Sequence, residues 1–235
     1  MRKLSVLLST SILFLSSCTK LIDDGPITTE IRSTGEFTGI DSRTSATVYY
    51  QQDNVFKVEV TAGQNTLDRL ETYVSNKQLV IRFRNEFWTP AHSGVTVRIR
   101  APRVNAFSLS GSGTITSTGF LSTPSVALQI GGSGNIRIQH INAYNLKGSV
   151  SGSGNISIDT GIADNEILKV NGSGNIDLRN VAAKKASTIT SGSGTMKLSV
   201  QESLNAIISG SGSVYYKGNP VLNTHVSGSG RVVRM

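Results

Sequence analysis

Four carboxylates fall close together in this chain: Asp159, Asp164, Glu166 and Asp177. Paired carboxyl groups are the machinery of glycosidic-bond cleavage, one donating a proton while the other attacks or activates water. Asp159 and Asp177 lie 18 residues apart, however, and the repeat described below puts them two residues out of step. All four are therefore expected as solvated turn residues. His92, His140 and His225 are scattered with no second ligand at metal spacing and are expected to face solvent. Gly-x-Ser-x-Gly never occurs, so no nucleophile elbow is indicated. Gly111-Ser-Gly113 is followed by Thr114-Ile115-Thr116, which lacks the third glycine of a dinucleotide fingerprint, and no Walker lysine follows any glycine loop. A calcium-binding nonapeptide is excluded because Ile136 stands where its aspartate would be. The expectation is a protein without catalytic residues, metal ligands or cofactor.

Two surface features could bind rather than react. Arg82 and Arg84 project from one face of a strand, and Arg98 and Arg100 from one face of another. If those strands are neighbours, four guanidinium groups form a patch suited to anionic polymers or headgroups. The plainer reading is that the outward face of a strand must be polar. Phe87-Trp88, beside His92 in a loop bounded by Pro90 and Gly94, could stack on a sugar ring or plug an open end of the fold. Trp88 and the four arginines are thus the candidate ligand surface.

Cys18 is the single thiol of the chain, and it stands directly after Leu15-Ser16-Ser17. Before it come Arg2-Lys3 and about a dozen apolar or hydroxylic residues, the pattern of a secretory signal. The arrangement resembles a bacterial lipoprotein signal, in which cleavage leaves the cysteine first and acyl chains are added to it. Residues 1–17 are then the signal and 18–33 a tether. Several acyl chains anchor firmly where one is marginal. The partner implied is a membrane, reached through lipid on Cys18, with the domain facing the periplasm or the cell surface of an exported, outer-membrane lipoprotein.

Composition sets the frame for these residues. The 235 residues carry 24 glycines, few aromatics and a formal charge of +8. Without residues 1–17 the balance is 21 basic to 15 acidic, or +6, with no basic run beyond Lys184-Lys185. Nucleic acid is therefore not an expected partner. Gly-Ser-Gly recurs seven times, at spacings of 21, 20, 20, 20, 18 and 18. Its glycines are Gly111 and Gly113, Gly132 and Gly134, Gly152 and Gly154, Gly172 and Gly174, Gly192 and Gly194, Gly210 and Gly212, Gly228 and Gly230. Two residues after each triplet stands an apolar residue (Ile115, Ile136, Ile156, Ile176, Met196, Val214, Val232), with alternation on either side. Each repeat reads as strand, glycine corner, strand and a turn such as Asp159-Thr160-Gly161. A coil of this length buries its apolar side only against its neighbours. The fold class expected for residues 108–235 is an all-β, single-stranded parallel β-solenoid of 18–21-residue coils, with the glycines as structural corners.

Residues 34–107 read as a less regular β part that caps the solenoid, with strands at 46–51, 55–61, 78–84 and 94–100 and an undecided stretch at 67–74. The aromatics concentrate there. The order Phe37-Thr-Gly-Ile40, Leu79-Val-Ile81, Val95-Thr-Val-Arg-Ile99, Ala-Pro102, Leu109-Ser-Gly-Ser-Gly113 and then repeated Gly-Ser-Gly-Asn-Ile resembles the putative autotransporter adhesin, head GIN domain family, over residues 36–215. That resemblance implies an exported β-solenoid, often on lipoproteins, without established catalytic activity or transferable site residues. The functional expectation is a rigid adhesion or binding module presenting a face to glycan or another envelope protein. A structural or accessory role in the periplasm is the alternative, and a polysaccharide-degrading β-helix enzyme the least favoured.

Overall fold

The computed structural model describes residues 24–84 and 94–235. Eight short strands and one helical turn come first: β1 (Ile27–Arg32), β2 (Gly39–Ser42), β3 (Thr47–Gln52), β4 (Lys57–Gly63), α1 (Gln64–Leu67), β5 (Leu70–Ser75), β6 (Gln78–Phe83), β7 (Thr96–Ala101) and β8 (Ala106–Leu109). The stretch left undecided at 67–74 is both things, the end of α1 and most of β5. Asn76 and Lys77 take positive φ of 50° and 61° at the β5–β6 turn, the backbone hand that a tight two-residue hairpin needs. Residues 27–32, expected within the tether, instead form β1 antiparallel to β4. Alternation of exposed and half-buried residues along Ile27–Arg32 suits an edge strand, which explains why polar composition alone read as linker.

Five long strands follow, each one coil: β9 (Thr114–Ile130), β10 (Asn135–Gly152), β11 (Asn155–Gly172), β12 (Asn175–Gly192) and β13 (Thr195–Gly210). Shorter pieces, β14 (Ser213–Lys217), β15 (Val221–Ser227) and β16 (Arg231–Arg234), continue the same ladders. All of these pairs are parallel and in register, Ile136 on Ile156 on Ile176 on Met196 on Val214 on Val232. The expected parallel β-solenoid is therefore the fold, with about six turns.

Burial shows where the chain bends. Along β10 the inward residues are Ile136, Ile138, Ile141, Ala143, Leu146, Gly148 and Val150. They are two apart except at 138 to 141 and 143 to 146, and there the strict alternation of a strand gains one residue. At the same places Gln139 and Tyr144 lack a register partner. The cross-section therefore has three sides: a first face at 135–138, a second at 140–143 and a third at 145–152, closed by the glycine corner. That last corner carries glycine in every coil, whereas the first bend does so only in some, Gly119 and Gly161 taking φ of 75° and 148° there. The two others turn at Gln139 and Tyr144 and their equivalents Asp159 and Asp164, so the turn expected at 159–161 is the first of two bends.

Both N-terminal layers grow from β9. Its first half pairs with β3, which leads through β7 and β4 to β1. Its second half pairs with β8, which leads through β2 and β6 to β5. Phe37, Tyr50 and Phe107 fill this wider end, and the Tyr50 and Phe107 rings meet edge to face at 5.5 Å. Burial pushes the Tyr50 phenol up to about 12, and its hydroxyl donates to the Ala101 carbonyl at 3.1 Å. Inside the solenoid proper Val, Ile and Leu dominate. Where Gly148 leaves an inward place empty, Leu168, Ile156 and Ile176 fill it from adjoining coils.

The triplets stack as a spine. Gly174 and Ser173 donate their amides to the Gly152 carbonyl at 2.9 and 3.0 Å, and Ser193 and Gly194 repeat the pattern on Gly172. Gly172 has φ of 128°, which side chains rarely adopt, and a Cβ on Gly174 would collide with the Gly154 carbonyl oxygen and a Val150 methyl. Beside the spine, Asn175 donates to Asn155 at 2.8 Å and Asn155 to Asn135 at 2.9 Å, a side-chain ladder parallel to the backbone one. Gly174→Ala should cost about 1–3 kcal/mol in urea unfolding, the scale of an unrelieved overpacking. Ser173→Ala, on the exposed residue of the same triplet, should stay within about 0.5 kcal/mol. Equal effects would mean the corner is not the constraint.

Glu166 is not a solvated turn residue. It occupies an inward place, in register with Leu146 and Ala186, with 1% of its surface exposed and no hydrogen-bond partner for either oxygen. Grouping it with Asp159, Asp164 and Asp177 as a turn carboxylate fails because Glu166 lies past the second bend, where it begins the inward alternation continued by Leu168 and Val170. Burial pushes its carboxyl well above the usual range. The folded state then holds the proton more tightly than the unfolded chain. Its contribution is fully present below about 4.5, the unfolded value, and is lost as pH rises through the raised one. Glu166→Leu should raise stability at pH 8 by about 1–3 kcal/mol, the cost of an unsatisfied buried acceptor, and flatten that pH dependence. Urea midpoints for both proteins at pH 4.5 and 8 decide it; a wild type equally stable at both refutes the assignment.

Candidate ligand-binding faces

The four arginines do not share a patch. β6, which carries Arg82, pairs with β2 and β5, whereas β7, which carries Arg98 and Arg100, pairs with β3 and β4. These strands belong to the two separate layers that start from opposite halves of β9. Each cation is also engaged locally. Glu71 takes Arg82 at 3.1 Å and Arg84 at 3.2 Å, Asp53 takes Arg100 at 3.2 Å, and Arg98 lies 5.2 Å over the Tyr49 ring. A cleft of about 570 Å³ opens beside Arg82 and Arg84, between β1, α1 and β5. Arg32 there bonds to Glu30 at 2.8 Å, and Asp68 and Glu71 also line it, so the cleft is charge-balanced rather than cationic. Trp88, with Phe87 and His92, and the acylation candidate Cys18 lie outside the described residues.

The carboxylates of the repeat are engaged too. Arg137 grips Asp159 with two nitrogens, and that partnership raises the guanidinium's pKa. Asp177 pairs with Arg179, and Asp164 with Lys184 at 2.8 Å. The hydrogen bond that Lys184 donates to Asp164 raises the lysine's pKa. Among the described residues no group of three or more His, Asp and Glu is placed to hold a metal ion.

A different surface emerges on the second face. Phe120 is 71% exposed and Tyr144, at the corner beyond, 59%. His140 lies in register directly above Phe120, and their rings are 4.2 Å apart. One column further, Asn142 pairs with the exposed Ile162. Coils about 4.8 Å apart bring these side chains onto one platform, two or three rungs tall. Most large apolar side chains of the coils point inward, so leaving two aromatic rings outward exposes area that water does not favour. Rings of this kind cover the apolar face of a sugar or an aliphatic side chain, while His140 and Asn142 offer hydrogen-bonding groups beside them. Sequence reasoning passed over the platform, although the 20-residue separation of Phe120 and His140 equals the coil period. Counting aromatics per half of the chain hid which way each one points.

Comparison with known proteins agrees with this architecture. Residues 36–220 match the model of a family described as putative auto-transporter adhesin, head GIN domain. Among solved structures, the chain is similar to a putative adhesin from Bacteroides fragilis, with a TM-score of 0.83 and 24% identity over 89% of this chain and 97% of that one. A protein from Parabacteroides distasonis described as a putative lipid binding protein gives a TM-score of 0.74 at 24% identity over 90% and 97%. A putative adhesin from Parabacteroides merdae gives 0.72 at 19% identity, again over 90% and 97%. No curated protein matches.

Proposed function

We propose that this chain, which belongs to the putative auto-transporter adhesin, head GIN domain family, works as a non-catalytic binding module of the bacterial envelope, held by lipid on Cys18 and offering the second face of its solenoid to glycan or protein. Family membership supports an extracellular or envelope location. The observation that carries the reading is the platform itself: Phe120 stands outward on a rung shared with His140, and Tyr144 stands outward at the bend that ends the same face. Ligand binding by rigid, pre-placed aromatics loses little conformational entropy. The apposed arginine and carboxylate pairs speak for a solvated wall elsewhere rather than for an acid–base site.

Two experiments test the parts separately. On a glycan array, a Phe120→Ala/Tyr144→Ala variant should lose about tenfold or more in affinity for any hit, the scale of an aromatic anchor at an interface. Its unfolding midpoint should hardly move, because both rings are exposed. A hit that persists unchanged clears the platform. For the anchor, Cys18→Ser should shift the protein from the membrane fraction to the soluble one; retention in the membrane fraction would sink the acylation.

A further inference from the structure

The third face carries positive charge and no exposed negative charge. It comprises residues 145–152, 165–172, 185–192, 203–210 and 221–227, stacked in register. Lys147, Lys169 and Lys185 point outward from it and are exposed. None of the three takes part in the ion pairs formed among the described residues. Glu166 is the one carboxylate in these five segments, and it is buried inside the coil. By contrast, Arg137 and Arg179 by the first face and Lys184 at the corner each hold an aspartate.

Aliphatic side chains are set between the lysines. Ile167 lies in register above Lys147 and is 54% exposed; Ile189 lies above Lys169, with Ile207 above it. Val221, two rungs beyond Lys185 in its column, is 77% exposed. The remaining outward places hold Asn, Ser and His225.

From this we infer that the third face docks on the surface of an anionic lipid bilayer, laying the solenoid axis along the membrane. Ammonium groups on flexible stems reach headgroup phosphates while their methylenes stay near the interface. Ile167, Ile189 and Val221 then enter the boundary between headgroups and acyl chains, as the apolar side of an interfacial element does. A dissolved polyanion would meet the lysines equally well, but it gives no shelter to the aliphatic residues alternating with them. Docking in this way leaves Phe120 on another face, clear of the bilayer, so the inference stands apart from the glycan or protein reading and needs no acyl chain.

The test uses residues 19–235, which retain every described strand and cannot be acylated on Cys18. Co-sedimentation with vesicles of phosphatidylcholine alone is compared with vesicles that also contain phosphatidylglycerol. Binding is expected only to the anionic vesicles and should weaken with added salt. Each lysine near such a surface is worth about fivefold in partitioning, so Lys147→Gln/Lys169→Gln/Lys185→Gln should lose on the order of a hundredfold. Ile167→Ser/Ile189→Ser should also weaken binding while keeping its salt dependence. Phe120→Ala/Tyr144→Ala should bind vesicles like the wild type, whatever it does on a glycan array. Unfolding midpoints of these surface variants show that each remains folded. Equal binding to both vesicle types, or full binding by the triple lysine variant, overturns the inference. So does competition by dextran sulfate with no effect of the isoleucine changes, which would make the face a polyanion site.

Discussion

Backbone hydrogen bonds from each coil to the one beneath are the constraint that everything else in this molecule obeys. Because they join equivalent residues, a coil can change its length only where no rung is present. The coils that are 18 rather than 20 residues long show this directly: Asp177 still pairs with Lys197, while Ala182 pairs with Ser199. The change in length is confined to the two bends, and by Lys185 on Ser203 the offset has settled at 18. The same constraint explains the glycine spine. At that corner the carbonyl of one coil approaches the backbone of the next so closely that a methyl group on Gly174 has nowhere to go.

A column of equivalent positions is also what turns a repetitive fold into distinct surfaces. Residues one period apart lie one rung apart, so a face acquires its chemistry by what is written at a single register position over successive coils. Asn135, Asn155 and Asn175 write an amide ladder; Phe120 and His140 write an aromatic step; Lys169, Ile189 and Ile207 write an amphipathic edge. These surfaces differ in charge bookkeeping as well. Arg137 and Arg179 by the first face each hold an aspartate, whereas Lys147, Lys169 and Lys185 on the third are left for something outside the chain.

Much of the fold was legible because the signal repeats. Seven triplets at near-constant spacing, with Ile136, Ile156 and Ile176 at one offset, admit few structures other than stacked coils. Four of the eight N-terminal strands, β3, β4, β6 and β7, were also readable from alternation to within two residues or so, because each has one buried side. Legibility failed where alternation slips. Between Ile138 and Ile141, and between Ala143 and Leu146, an extra residue turns the chain, and beyond each bend the parity of inside and outside is reversed. Glu166 was read with its neighbouring carboxylates as part of a turn, although it lies beyond the second bend in phase with the buried Leu168 and Val170. Pairing between strands far apart in sequence was equally hidden: nothing local distinguishes β6 beside β7 from β6 beside β2.

What the chain's own pattern determined is the repeat unit, its glycine corner, its aliphatic interior and the membership of a β-solenoid family, because each rests on residue types recurring at a fixed interval. Which side chains share a surface was decided only in three dimensions. Two bends between the glycine corners set the phase of every outward position, and the layers grown from opposite halves of β9 carried Arg82 and Arg98 to different walls. The physical reason is that a period specifies distance along the chain, while a face depends on the angle accumulated between rungs, and that angle comes from packing.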